Sequence, residues 1–165
     1  MTIGDPRVEG VRMGPLASRA QRASVLEKVA EIAQEAEVVY GAAAVDETLD
    51  PALLGGAFLS PVLLRCTSPR TGRHVHTTEA FGPVATVMPY DSLDEAVMLV
   101  AKGEGSLVAS VFTYDDAVAE RLFFGLAPFH GRVLLVDRDC ARESTGHGSP
   151  LPMLVRPMYC ARARA

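Results

Sequence analysis

The sequence predicts an α/β fold, a mostly parallel open sheet with helices on both faces. Three observations carry that expectation. Short apolar runs such as PVATVMPY, LVASVFT and RVLLVD alternate with segments in which apolar residues recur at helical spacing. The runs are almost continuously apolar, as in strands covered on both sides. The helical segments between them are about 10 to 12 residues long, enough for a crossover between parallel strands.

The elements follow in order. Met1 to Leu16 is punctuated by Gly4, Pro6, Gly10, Gly14 and Pro15 and reads as loop. Ser18 opens a helix with Gln21 three residues on, the spacing of a capping box. Leu26, Val29, Ala30, Ala33 and Ala36 recur along it and mark its buried face. EVVYG is a short strand ended by Gly41, and Ala42 to Gly56 is a loop with a helical turn at DPALL. AFLSPVLLRC is a strand in which Pro61 argues for an edge or a bulge. Ser68 to His76 is a turn, followed by the strand PVATVMPY. Ser92 and Glu95 repeat the capping-box spacing before a helix that runs to about Lys102. LVASVFT is a strand, Asp115 starts a helix to about Leu126, and RVLLVD is the next strand. The end, RPMYCARARA, has no periodicity and is expected to be a disordered tail.

Bulk properties exclude several classes. The 165 residues suffice for one domain with a core, and 48% hydrophobic residues argue against disorder. A net charge of −4 with no basic stripe gives no footprint for nucleic acid. No apolar run is long enough to span a membrane, and MTIGDPRVEG lacks the apolar core of a signal peptide, so a cytoplasmic protein is expected. Three cysteines at irregular spacing fit a reducing compartment and suggest no disulfide framework.

The stretch TTEAFGPVATVMPY carries the chemistry. Glu79 stands two residues before Phe81, and Gly82 and Pro83 follow at the mouth of a strand. Ligands of open parallel sheets bind outside the carboxyl ends of strands. A carboxylate there can accept hydrogen bonds from both hydroxyls of a ribose, and a Phe can cover a flat ring. Read on spacing alone, the same residues are more readily a surface Glu, a core Phe and an ordinary turn. His74 and His76, with Cys66 upstream, invite a metal reading, but two histidines without further ligands at a recognisable spacing define no site. Cys66 reads as a buried small hydrophobe, Cys140 lies among mixed charges in DRDCARE, and Cys160 is in the tail.

TEAFGPVATVMPYDSLDEAV followed by LVASVFTYDDAVAERL resembles the aldehyde dehydrogenase superfamily. There a Glu-x-Phe-Gly-Pro motif precedes a strand, a helix, a strand ending in Phe-Thr and another helix. GDPRVEGVRMGPLASRAQ resembles the segment in which Gly-Pro precedes a helix. By this resemblance Glu79 holds the hydroxyls of the nicotinamide ribose, Phe81 lines the nicotinamide pocket and Gln21 contacts the adenine-side ribose. Ser24 stands where some members carry Lys. GHGSPLP, Gly146 to Pro152, is similar to the aldehyde dehydrogenase domain of a bifunctional phenylacetate-degradation type. Members of that type oxidise a CoA-linked semialdehyde. His147 in that stretch is the candidate for substrate recognition.

The resemblance implies a partial aldehyde dehydrogenase catalytic domain, with residues 1–154 as its C-terminal portion and 155–165 as the tail. NAD or NADP is the implied cofactor, with a slight preference for NADP. The family's nucleophilic Cys and general-base Glu lie ahead of the Gly-Pro segment near Met13, so no catalytic residue is assigned and the chain alone is expected to be inactive. The loss of resemblance after GSPLP suggests a truncated or frameshifted product, or a cloning boundary. Apolar surface left uncovered would drive self-association. The alternative is a non-catalytic module of the same fold that binds a ligand or a protein.

Overall fold

The computed structural model describes residues 2–41, 53 and 55–137. The chain divides into two units, Met1–Pro89 and Tyr90–Ala165.

In the first unit, helix α1 (Arg19–Ile32) starts where Ser18 Oγ accepts a hydrogen bond from Gln21 N at 3.0 Å. Its buried residues are Val25, Val29 and Ile32, and Ala36 just beyond it is buried too. Ala30 and Ala33, expected on the buried face, are exposed. The spacing from Val25 to Val29 to Ile32 fits one helical face, and the larger side chains occupy it because they remove more apolar area from water.

Strands β1 (Glu37–Tyr40), β2 (Val62–Arg65) and β3 (Val84–Val87) form one sheet in the order β1-β2-β3. β1 pairs with β2 antiparallel, with a register shift between Val38 and Tyr40, and β2 pairs with β3 parallel. β2 is therefore central. Pro61 does not make it an edge strand, because it precedes the first ladder residue and its missing N–H takes nothing from the sheet. Gly41 ends β1 at φ +77°, and a Cβ there would collide with the Pro61 carbonyl. The predicted turn at Ser68 to His76 contains the start of a one-turn helix, α2 (His74–Thr77). The helical turn expected at DPALL lies outside the described residues except for Leu53. Leu59, Val62, Leu64, Cys66 and Val75 pack with the apolar face of α1 in one core cluster.

In the second unit, Ser92 Oγ accepts from Glu95 N at 3.1 Å to start helix α3 (Leu93–Ala101). β4 (Ser106–Phe112) pairs parallel with β5 (His130–Val136) in a two-stranded sheet. Between them runs α4 (Asp116–Leu126), capped by Asp115, whose Oδ1 accepts from Ala117 N and Val118 N. Val111, Leu122 and Leu126 form its core with Leu93, Val97 and Val133 around them. Gly125 allows α3 and α4 to approach closely, since a Cβ there would lie 2.6 Å from Val97 Cγ2. Both units are α/β, and two of the three strand pairings are parallel. The expected tail, 155–165, and the predicted substrate residue His147 lie outside the described residues, as do Cys140 and Cys160.

Candidate cofactor-binding site

The Glu-x-Phe-Gly-Pro motif forms the loop between α2 and β3. Two tight turns shape it, with Gly82 N donating to Ala80 O at 2.7 Å and Val84 N to Gly82 O at 2.8 Å. Pro83 O accepts from Val62 N at 2.8 Å, which ties the end of the loop to the central strand. Gly82 sits against α1, where a Cβ would lie 2.9 and 3.0 Å from the two γ-methyls of Val25. The Gly-Pro pair thus brings the backbone closer to the helix than any other residue type at 82 allows.

The two predicted ligand residues of the loop face water. Phe81 is 70% exposed, far from the core Phe that spacing alone permits. Glu79 is exposed, and among the described residues its carboxylate has no hydrogen-bond partner. A free carboxylate two residues from an uncovered aromatic ring can take hydroxyl groups and a flat ring together.

Gln21 lies beneath this loop. Its Oε1 accepts from Ala17 N at 3.0 Å, and its Nε2 donates to the Phe81 carbonyl at 2.8 Å. Sequence spacing identified the first bond in kind, as a cap. It could not identify the second, which crosses 60 positions. Ser24 is exposed on α1.

The last turn of α1 holds the other end of the loop, and the sequence reading missed this. Glu31 Oε1 accepts from Thr78 Oγ1 at 3.0 Å and meets His74 Nδ1 at 3.0 Å, while Oε2 accepts from Lys28 Nζ at 2.7 Å. Glu35 accepts from the backbone N–H groups of Arg73, at 2.8 Å to Oε2, and Val75, at 3.2 Å. These are the amides at the start of α2, where a helix leaves donors unpaired. The Lys28 ammonium, with Thr78 and His74, holds the Glu31 carboxyl below its ordinary pKa. The Arg73 and Val75 amides and the charge of His74 do the same for Glu35. The sequence signal is the i, i+4 pair Glu31 and Glu35, but apart from Lys28 their partners lie more than 35 positions away.

His74 and His76 do not share a face of a strand. They stand on a helical turn, and His76 Nε2 bonds to Pro69 O at 2.7 Å while His74 meets Glu31. Among the described residues no three His, Cys, Asp or Glu gather as a metal-ligand set. Cys66 is buried, as expected.

The fold is α/β and presents this motif on a loop bonded to a capped helix, and comparison with known proteins gives its class. The sequence model of the aldehyde dehydrogenase family matches residues 1–127, and the chain belongs to that family. It is 44% identical over 162 residues to 3,4-dehydroadipyl-CoA semialdehyde dehydrogenase of Aromatoleum evansii, covering 98% of this chain and 32% of that protein. It is 43% identical to protein MaoC of Klebsiella aerogenes, covering 87% of this chain and 41% of that protein. Among solved structures, betaine aldehyde dehydrogenase of Staphylococcus aureus in complex with NAD+ superposes with a TM-score of 0.69 at 26% identity, over 82% of this chain and 26% of that one. The chain therefore spans about a third of the first of these curated relatives and about two-fifths of the second. Among the described residues no helix is long and apolar enough to cross a membrane.

Proposed function

We propose that this chain supplies the nicotinamide-riboside side of an NAD(P)-dependent aldehyde dehydrogenase that oxidises a CoA-linked semialdehyde in phenylacetate-type aromatic catabolism, in the cytoplasm. The observation that carries the reading is the pairing of a Glu79 carboxylate without a partner among the described residues with an exposed Phe81 ring on a loop anchored at both ends. The similarity to a CoA-semialdehyde dehydrogenase supports the substrate class. A bound dinucleotide would supply the hydride acceptor. Glu79 would hold the ribose hydroxyls by accepting their hydrogen bonds, and Phe81 would line one face of the ring and shield it from water. His147 recognises the acyl-CoA aldehyde, and NADP is slightly favoured over NAD. The nucleophilic thiol and the general base are assigned to no residue of this chain, so the 165 residues alone bind without turning over. Apolar side chains on the surface drive their self-association.

Titration of the chain with reduced nicotinamide mononucleotide, followed by nicotinamide fluorescence, tests this. Saturable binding is expected, weakened about tenfold by Glu79→Gln, since hydrogen bonds to a charged acceptor are worth about 1.5–3 kcal/mol. Phe81→Ala should weaken it as well. No saturable binding, or binding indifferent to both substitutions, overturns the reading.

A further inference from the structure

α1 and α3 begin with the same arrangement of hydrogen bonds but use different residues. In α3 the third helical residue is Glu95, and its Oε2 accepts from Asp91 N at 2.9 Å. In α1 the equivalent residue is Gln21, and its Oε1 accepts from Ala17 N at 3.0 Å. An acceptor is all that this cap requires, and Glu and Gln both provide one. The amide nitrogen of Gln21 is therefore surplus to the cap. It donates to the Phe81 carbonyl at 2.8 Å, a bond that a carboxylate cannot make.

That bond falls at a decisive point of the loop. The Phe81 carbonyl belongs to the peptide that joins Phe81 to Gly82, and Gly82 rests on Val25, one turn along α1 from Gln21. Two α1 residues thus clasp one peptide. On the other side of the motif, Thr78 Oγ1 donates to Glu31 Oε1 at 3.0 Å. Glu79 and Phe81 have exposed side chains and lie between these two anchors. A ligand group is effective only when its neighbours hold it in place, because an ordered loop loses less entropy on binding.

We propose that Gln21 is a positioning residue, whose amide fixes the Phe81–Gly82 peptide and so presents Glu79 and Phe81 to the nicotinamide riboside. Both polar ends of its side chain are engaged within the protein, so it acts through the loop. The role in cofactor binding rests on the function proposed above, whereas the role in ordering the loop does not.

Three variants of the full chain separate cap from latch. Gln21→Ala removes both bonds. Gln21→Glu keeps the cap in the form α3 already uses and removes only the latch. Ser24→Ala, on the exposed side of the same helix, is the control. Each is followed by its thermal midpoint, by amide hydrogen exchange across residues 79–84, and by binding of reduced nicotinamide mononucleotide. Gln21→Ala should lower the midpoint and speed exchange of the loop amides. Gln21→Glu should recover most of the midpoint, yet leave that exchange roughly fivefold faster than in the unsubstituted chain and binding weaker by a similar factor, as expected for one lost hydrogen bond. Ser24→Ala should change none of the three. Recovery of both midpoint and loop exchange by Glu would show Gln21 to be only a cap and would overturn the proposal, as would loop exchange unchanged in both Gln21 variants. If the unsubstituted chain binds no nicotinamide mononucleotide, the cofactor reading fails, and the exchange data still decide whether Gln21 orders the loop.

Discussion

The first unit buries nine residues in a single cluster, from Val25 on α1 to Val75 on α2. In the second, the described residues bury three in one cluster and two in another, while Leu107 and Phe112 of β4 stand 85% and 75% exposed. The joints between elements differ in kind as well. α1 grips α2 and its following loop through Glu31 and Glu35, each with several partners. α3 and α4 are joined by apolar packing of Val97 against Gly125 and the cluster that contains Leu122, and the Arg121–Asp94 pair between them lies on the surface and is worth at most about 1 kcal/mol. A site needs a support that does not yield, and the motif loop is built on the unit that has both the closed core and the multiply bonded joint. The second unit contributes strands whose apolar side chains its own helices leave uncovered.

The sharpest way to break this contrast is to empty the first core. Leu64 lies in the central strand and is wholly buried. Leu64→Ala removes its transfer free energy and leaves a cavity between the sheet and α1, and should cost about 4 kcal/mol. Denaturant unfolding followed by a probe in residues 2–89 measures it. A loss below about 1 kcal/mol would mean that the cluster is loosely packed, and the first unit would have no claim to be the rigid one.

Much of this support was legible in the sequence, and what escaped has one physical cause. All three long helices begin at their predicted caps, Ser18, Ser92 and Asp115, because a cap is decided by residues within one turn. The parallel pairing of β4 with β5 follows from the alternation of apolar runs and helices, whereas between β2 and β3 the sequence offered only a turn. The Glu79–Pro83 motif was legible only because it resembles a known family; spacing alone favours a core Phe81, and the ring is exposed. The helix face of α1 was read one position off, because alanines fit either side of a helix and only packing decides between them. Pro61 argued for an edge or a bulge: β2 is not an edge, because the proline precedes the ladder, but its ladder with β1 does carry a register shift. The bonds from Gln21 to Phe81 and from Glu31 to Thr78 were invisible, since each joins positions that only the folded chain brings together.

Acid should weaken the joint that distinguishes the first unit. Glu31 and Glu35 both have pKa values below the ordinary 4.5, through Lys28 and the Arg73 amide respectively. A carboxyl group depressed in the folded state contributes stability that is present above its unfolded value and is lost as pH falls through the folded value. The contribution of the pair is thus complete at about pH 7 and declines below about pH 4. Gln at position 35 still offers an acceptor to one amide but carries no charge and does not titrate. Glu35→Gln should therefore lower the thermal midpoint at about pH 7, by a gap that narrows at about pH 3. An equal gap at both pH values would show that Glu35 acts through shape alone, and the joint would lose its electrostatic character.

The smallest effect on stability is expected where the second unit is most exposed. Leu107 gains almost nothing from folding, because its side chain remains in water within the described structure. Leu107→Lys should leave the unfolding free energy within about 0.5 kcal/mol. It should nevertheless reduce self-association, because a charge at an exposed strand position opposes pairing with a second copy. Sedimentation velocity across a concentration series, with unfolding curves on the same samples, reads the two effects separately. If association is unchanged, β4 is not the surface that drives it. A loss of more than about 1 kcal/mol would show that Leu107 is covered in the folded chain, and the contrast between a closed first core and an open second one would have to be withdrawn.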